Sequence, residues 1–151
     1  MSSTEQIKEL RNRTGISIAQ CKQALEEAAG DMDKALESLK ARGAEIANKK
    51  ADRELGSGVM GSYVHNNLLI GSLVELACET DFVAKNPEFI EVANDLAMHL
   101  TATGSEDIDS LLAEPYIKNP EQTIADVIKE ATQKFGERVN VVKISRLEVG
   151  A

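Results

Sequence analysis

The chain has no tryptophan, two tyrosines and three phenylalanines in 151 residues, so large aromatic surface is scarce. Its two cysteines, Cys21 and Cys78, both lie inside apolar patterns. That excludes a disulfide framework and fits small buried thiols in a reducing compartment. His65 and His99 are the only histidines and neither stands in a ligand-like cluster, so no metal site is expected. His65 adjoins a turn and should be exposed; His99, beside Leu100 on a helical pattern, reads as a core histidine or as a contact. Apolar runs such as Leu68-Leu69-Ile70 fall far short of a membrane span. Met1-Ser2-Ser3-Thr4-Glu5 lacks the basic and apolar regions of a secretory signal, so the expected location is cytoplasmic. Gly56-Ser57-Gly58 has neither the lysine nor the preceding strand of a nucleotide-binding loop. The serines have no nucleophile elbow. No enzyme and no cofactor are expected from this inventory.

What charge there is points the same way. The net charge is −8, and it is uneven: residues 1–54 carry ten basic and ten acidic side chains, the remainder seven and fifteen. A phosphate-binding surface needs the opposite sign, so direct nucleic-acid binding is not expected. A protein partner is the better reading.

Residues 1–43 read as a three-helix module. The first helix carries Ile7 and Leu10 on one face and stops at Thr14-Gly15. Ser17-Ile18-Ala19-Gln20 has the form of a capping box and starts a second helix with Ile18, Cys21, Leu25 and Ala28 inward. Gly30 is a left-handed stop, and Asp31 caps a third helix that buries Met32, Ala35, Leu36 and Leu39 before Gly43. So small a core is of marginal independent stability, and in size and spacing the bundle resembles a ubiquitin-associated-like domain. It is either a structural cap or a docking module. The docking reading uses the first helix and the turn after it, with Lys8, Arg11, Thr14, Gly15 and Ile16, and then Ile18 and Lys22. Residues 44–57 are polar and Lys-rich and read as a helical linker.

Residues 58–151 change texture. Val59 to His65, Asn66-Asn67 and Leu68 to Cys78 read as a hairpin with a two-residue turn, because Asn tolerates positive φ. In its second strand Leu68, Ile70, Val74, Leu76 and Cys78 share one face, with Ser72 the exception. Asn86-Pro87 starts a helix that buries Phe89, Ala93, Leu96, Ala97 and Leu100. Gly104 to Pro115 is an acidic connection with one turn of helix. Thr123 opens a further helix ending at Gly136. The closing run from Arg138 to Val149 is β-branched, and its inside–outside parity slips between Val141 and Val142, as a bulge or two-sided burial would require. The fold class is therefore α+β: three antiparallel strands with helices packed on one side.

Thr80-Asp81-Phe82-Val83-Ala84-Lys85-Asn86 is the most informative stretch. It sets a scarce phenylalanine between an acid and a base, at the junction of a strand and a helix. Phe82 is there either as a core anchor or as a presented probe.

Several motifs together resemble the elongation factor Ts family. These are Lys8-Glu9-Leu10-Arg11, Arg13-Thr14-Gly15, Cys21-Lys22-Gln23-Ala24-Leu25, Gly30-Asp31 and Ala47-Asn48-Lys49-Lys50-Ala51. Glu79 to Asn86, Ala97-Met98-His99 and Arg146-Leu147-Glu148-Val149-Gly150 complete the match over nearly the whole chain. The resemblance implies a guanine-nucleotide exchange factor for elongation factor Tu, acting on its GDP-bound and nucleotide-free states. It implies docking through Arg11, Ile18, Ala19 and Lys22, where many members carry bulkier methionines at the Ile18-Ala19 pair. It implies presentation of Asp81 and Phe82 near the partner's magnesium site, with His99 as a weaker contact. The chain resembles a short form, lacking the family's coiled-coil hairpin and doubled core. Short members pair two chains, so a homodimer is expected, non-covalent because Ser145 and its neighbours offer no thiol. The alternative is a binding module on a G protein or a ubiquitin-like partner that drives no exchange.

Overall fold

Each of the first three helices starts on a side-chain cap, and the first stops on a left-handed glycine. The computed structural model describes residues 3–151; Met1 and Ser2, the start of the expected 1–43 module, lie outside the described residues. Helix α1 (Thr4–Thr14) is capped by Ser3 and Gln6 in a reciprocal capping box and ends at Gly15, whose φ is 70°. Helix α2 (Ile18–Glu27) is capped by Ser17, whose oxygen accepts the Gln20 N–H at 3.3 Å. The expected return bond from Gln20 is not made, for its Oε1 accepts from Gln133 Nε2 instead, at 2.9 Å. Helix α3 (Met32–Lys49) is capped by Asp31, which accepts from the Asp33 and Lys34 amides. This helix runs unbroken through residue 43 to Lys49, so the first part of segment 44–57 continues it.

The bundle buries Leu10, Ile16, Cys21, Ala24, Leu25, Ala35 and Leu39. Ile18, read as inward, is 54% exposed. Ile16 in the preceding turn fills that end of the core, which leaves the first turn of α2 free to face water.

Strand β1 (Ser57–Val64), strand β2 (Ile70–Cys78) and strand β5 (Asn140–Glu148) form an antiparallel sheet in the order β1-β2-β5. The expected two-residue Asn-Asn turn is wrong. His65 N–H bonds to the Ile70 carbonyl, the Leu68 N–H bonds back to His65, and Leu68, not an asparagine, takes positive φ (61°). Asn67 supports this longer loop through its side chain, which accepts the Leu69 N–H. Leu68 is consequently 77% exposed and off the inward face, where Ser72, Val74, Leu76 and Cys78 are buried. Ser72 belongs there because its hydroxyl accepts from Thr101 Oγ1 at 2.8 Å. Leu76 pairs with Val141 and Glu75 with Lys143, so Val142 is the extra residue of a bulge.

Helix α4 (Asp81–Ala84) is a single turn, and α5 (Pro87–Thr103) follows from the Asn86 cap, lying across the inner sheet face. Helix α6 (Ile108–Ala113) is the short turn expected in the acidic connection; it buries Leu111. A small ribbon, β3 (Pro115–Tyr116) with β4 (Asn119–Thr123), adds two strands that the pattern did not reveal. Helix α7 (Ile124–Phe135) starts on a Thr123–Asp126 capping box, stops at Gly136 and packs against α3 and α5. The α+β fold holds, with the helices on one sheet face. The opposite face is open and carries Met60 (56% exposed), Val64 (63%), Leu73 (46%) and Leu147 (75%).

Candidate functional site

The site begins where β2 ends. Thr80 is extended (φ −125°, ψ 155°) and caps α4 by accepting the Val83 N–H at 3.4 Å. A single helical turn is unstable alone, since nucleation costs more than one hydrogen bond returns. The turn persists because Val83 and Ala84 are buried in the core and the Asn86 N–H closes on the Val83 carbonyl at 3.0 Å. Asn86 Oδ1 in turn accepts the Glu88 N–H, and Pro87 holds the first position of α5. Anchoring Val83 and Ala84 inward points Asp81, Phe82 and Lys85 outward. Phe82 is 85% exposed. Leaving that side chain in water forgoes about 1.5–3 kcal/mol of burial. The core role falls instead to Phe89, which is fully buried and meets Phe135 edge to face at 5.4 Å between centroids. Lys85 and Asp81 pair across the turn at 3.5 Å, both largely exposed.

The base of the turn is held from the far end of the chain. Glu137 Oε1 accepts the Glu79 and Thr80 amides at 3.1 and 3.0 Å, and its Oε2 accepts the Thr80 hydroxyl at 2.6 Å. Glu79 accepts the Arg138 N–H at 2.6 Å and pairs with Arg53 at 3.4 Å. Cys78 Sγ donates to the Thr80 carbonyl at 3.2 Å; burial, foremost, raises its thiol pKa.

The module meets this region through one crevice of about 450 Å³, lined by Arg11, Asn12, Gly15, Asn86, Glu88 and Lys134. Lys134 is the bridge. It pairs with Glu88, and its side chain lies so close to Gly15 that an added β-carbon there would stand 3.1 Å from its Cδ. The hydrogen bond and charge of Lys134 hold the Glu88 carboxyl below the usual carboxylate range. Of the residues expected to dock, Arg11 and Gly15 reach the crevice. Lys8, Ile18, Ala19 and Lys22 are exposed on α1 and α2 outside its lining. Thr14 is buried; its hydroxyl donates to Leu10 and accepts from Ile16, which is structural work.

His99 has no exposed side-chain surface. The Ile117 N–H donates to its Nδ1 at 3.3 Å, so the proton sits on Nε2 and is donated to Glu114 at 3.1 Å. In this arrangement His99 ties α5 to the β3–β4 ribbon. Elsewhere, at the α3–α7 junction, half-buried Glu130 accepts from Gln122. Burial pushes its pKa up to about 7, opposed by Gln122 and by Lys40.

Sequence reading missed Glu137, Glu88 and Lys134. Glu137 and Thr80 are 57 residues apart, beyond any local periodicity; its position just after the Gly136 helix stop was the one available signal. Among the described residues, no group of three or more metal-ligating side chains comes together, and no helix is long and apolar enough to cross a membrane.

The fold and site define an α+β protein that displays one aromatic side chain on a braced turn, beside a helical module. A family model described as Elongation factor TS matches residues 79–151. An elongation factor Ts of Thermosipho melanesiensis is 37% identical over 195 aligned positions, covering 99% of this chain and 100% of that protein. One of Carboxydothermus hydrogenoformans is 36% identical, covering 99% and 90%. One of Clostridium botulinum is 38% identical over 149 positions, where this chain spans 48% of the relative. The chain belongs to the elongation factor Ts family.

Proposed function

We propose that this chain is a guanine-nucleotide exchange factor for elongation factor Tu. It binds the GDP-bound protein and drives GDP out by inserting Phe82 near the partner's magnesium and nucleotide site. The observation that carries this reading is the exposure of Phe82 on a turn anchored in the core by Val83 and Ala84. Residues 1–43 serve as the docking module, 44–57 as the connection and 58–151 as the presenting core. Arg11, Gly15, Ile18, Ala19 and Lys22 engage the nucleotide-binding domain, while Asp81 and Lys85 frame the probe.

Such an exchanger needs no reactive group or cofactor of its own. It has to bind the nucleotide-free partner more tightly than the GDP-bound one, and by linkage GDP weakens the complex by the same factor. Each tenfold in release rate takes about 1.4 kcal/mol. Burying Phe82 supplies about 1.5–3 kcal/mol, or one to two powers of ten, so the docked module and the framing charges provide the rest.

Self-association belongs to the same proposal. The open sheet face, with a shallow hollow of about 380 Å³ lined by Val64, Leu69, Leu73 and Leu147, supports a non-covalent pair of chains. The test of function is release of fluorescent GDP from elongation factor Tu with and without this chain. Acceleration at micromolar concentration is expected. Tight binding with unchanged release would leave only a docking module.

A further inference from the structure

We propose that Glu137 is a positioning residue for Phe82, acting through Thr80. The inference rests on the reading of Phe82 as the inserted probe. Its basis is the way donors and acceptors are used up around one residue. The Thr80 hydroxyl has a single proton, and Glu137 Oε2 takes it at 2.6 Å. The rotor is thereby fixed with a lone pair toward the Val83 N–H, the cap of the turn that carries Phe82. Glu137 Oε1 at the same time holds the Thr80 and Glu79 amides, and the Thr80 carbonyl takes the Cys78 thiol and the Ala84 N–H. Every polar group of Thr80 is therefore committed, and two of the three to one carboxylate.

Glu137 sits outside the turn and 55 residues further along the chain than Phe82, yet both its carboxylate oxygens are turned to the residue that caps that turn. The groups around it belong to three segments. Glu79 follows β2 directly and is itself tied to Arg53 at 3.4 Å and to the Arg138 amide at 2.6 Å. Arg138 donates from its guanidinium to the Arg53 carbonyl at 2.7 Å. The residue after β2, the segment after α3 and the residues just before the last strand are thus laced together next to the Thr80 cap of α4. A one-turn helix has too few internal bonds to hold an aromatic ring in one direction. Without the carboxylate it samples other geometries, and the apparent affinity for the partner falls by the fraction of time the turn is competent.

The test uses the full chain and four variants, Glu137→Gln, Glu137→Ala, Phe82→Ala and the double variant Glu137→Gln/Phe82→Ala, with two readouts. Amide hydrogen exchange reads the clamp directly. Loss of protection at Thr80 and Val83 in both Glu137 variants, with the rest of the sheet unchanged, is expected; unchanged protection overturns the proposal. GDP release from elongation factor Tu reads the consequence. About a tenfold loss is expected for Glu137→Gln, and the double variant should lose no more than Phe82→Ala does alone. Independent, multiplying losses would mean that Glu137 acts on something other than Phe82 and would overturn the proposal. A normal release rate for Glu137→Gln beside a slowed Phe82→Ala does the same. If Phe82→Ala alone leaves release unchanged, the probe reading falls and the positioning role falls with it, while the amide data still report on the clamp.

Discussion

Gly61 on β1 lies directly under Ala93 of α5, so close that a β-carbon on Gly61 would overlap the Ala93 carbonyl and stand 2.9 Å from the Ala93 methyl. This contact sets the distance between the helix and the sheet. Next to it Asn94 accepts the Ser62 N–H at 3.0 Å, which fixes the rotation of the helix. Because α5 starts immediately after the Phe82 turn, the seating of Gly61 is also the seating of the site. Gly61→Ala should lower stability by about 3 kcal/mol, since the clash is with backbone and has no rotamer to relieve it. Urea denaturation checks this.

Phe82 and Phe89 make opposite predictions from the same substitution. Phe82→Ala should change stability by less than about 0.5 kcal/mol, as expected for a surface change, while slowing GDP release by about ten- to a hundredfold. Phe89→Ala removes a fully buried ring and should cost about 3–5 kcal/mol. Melting curves and fluorescent-GDP release on the two variants separate the roles. A large drop in melting temperature for Phe82→Ala would return it to the core.

How much of this was legible in the sequence depends on the range of the interaction. The helix caps at Asp31, Asn86 and Thr123 were readable because a cap and its amide lie within three residues. The bulge at Val142 was readable because a one-residue slip reverses the parity of an otherwise alternating strand. Ile18 was misplaced because a first-turn residue has the right spacing whether or not the core extends that far. The Leu68 loop was misread because an Asn-Asn pair favours positive φ without requiring it, and side-chain capping by Asn67 offered a competing geometry. Within the site, the turn itself was legible as a motif. Its brace was not, since Glu137 reaches Thr80 only after the last strand has been laid down beside β2.

Glu130 gives the module–core junction a pH dependence. In the folded chain its carboxyl keeps a proton up to about pH 7, whereas in the unfolded chain it ionises in the ordinary range. Between those values the folded state binds more protons, so stability declines as pH rises and flattens above about 7. The full linkage would exceed 3 kcal/mol, and water reaching a half-buried group reduces it to about 2 kcal/mol. Glu130→Gln keeps the bond to Gln122 without the charge. It should be more stable than the parent at pH 8 by about 2 kcal/mol, equal to it near pH 4.5, and nearly flat between. Urea titrations across that range read the difference.

The open sheet face supplies the last test. Leu73 stands at the middle of the outer face of the central strand, between Ser62 and Ser145, with Leu147 and Val64 on either side of Gly71 next along. Small flanking residues leave Leu73 proud of the surface, and a second sheet stacked at the usual spacing of about 10 Å would bury it. Leu73→Glu therefore strikes a pair of chains without striking the fold. In one chain the new carboxylate stays in water and stability should shift by less than about 0.5 kcal/mol. In a symmetric pair each face meets its own copy, so two like charges would be buried together, and several kcal/mol of repulsion and desolvation should abolish pairing. Sedimentation of the parent across a range of concentrations should show a concentration-dependent dimer, and Leu73→Glu a monomer at every concentration. A parent that stays monomeric throughout would rule pairing out and leave the sheet face without a second copy to cover it. If the dimer exists, comparing GDP release by the parent and by monomeric Leu73→Glu decides whether one core suffices, because Phe82 lies on the other side of the sheet and is untouched by the change.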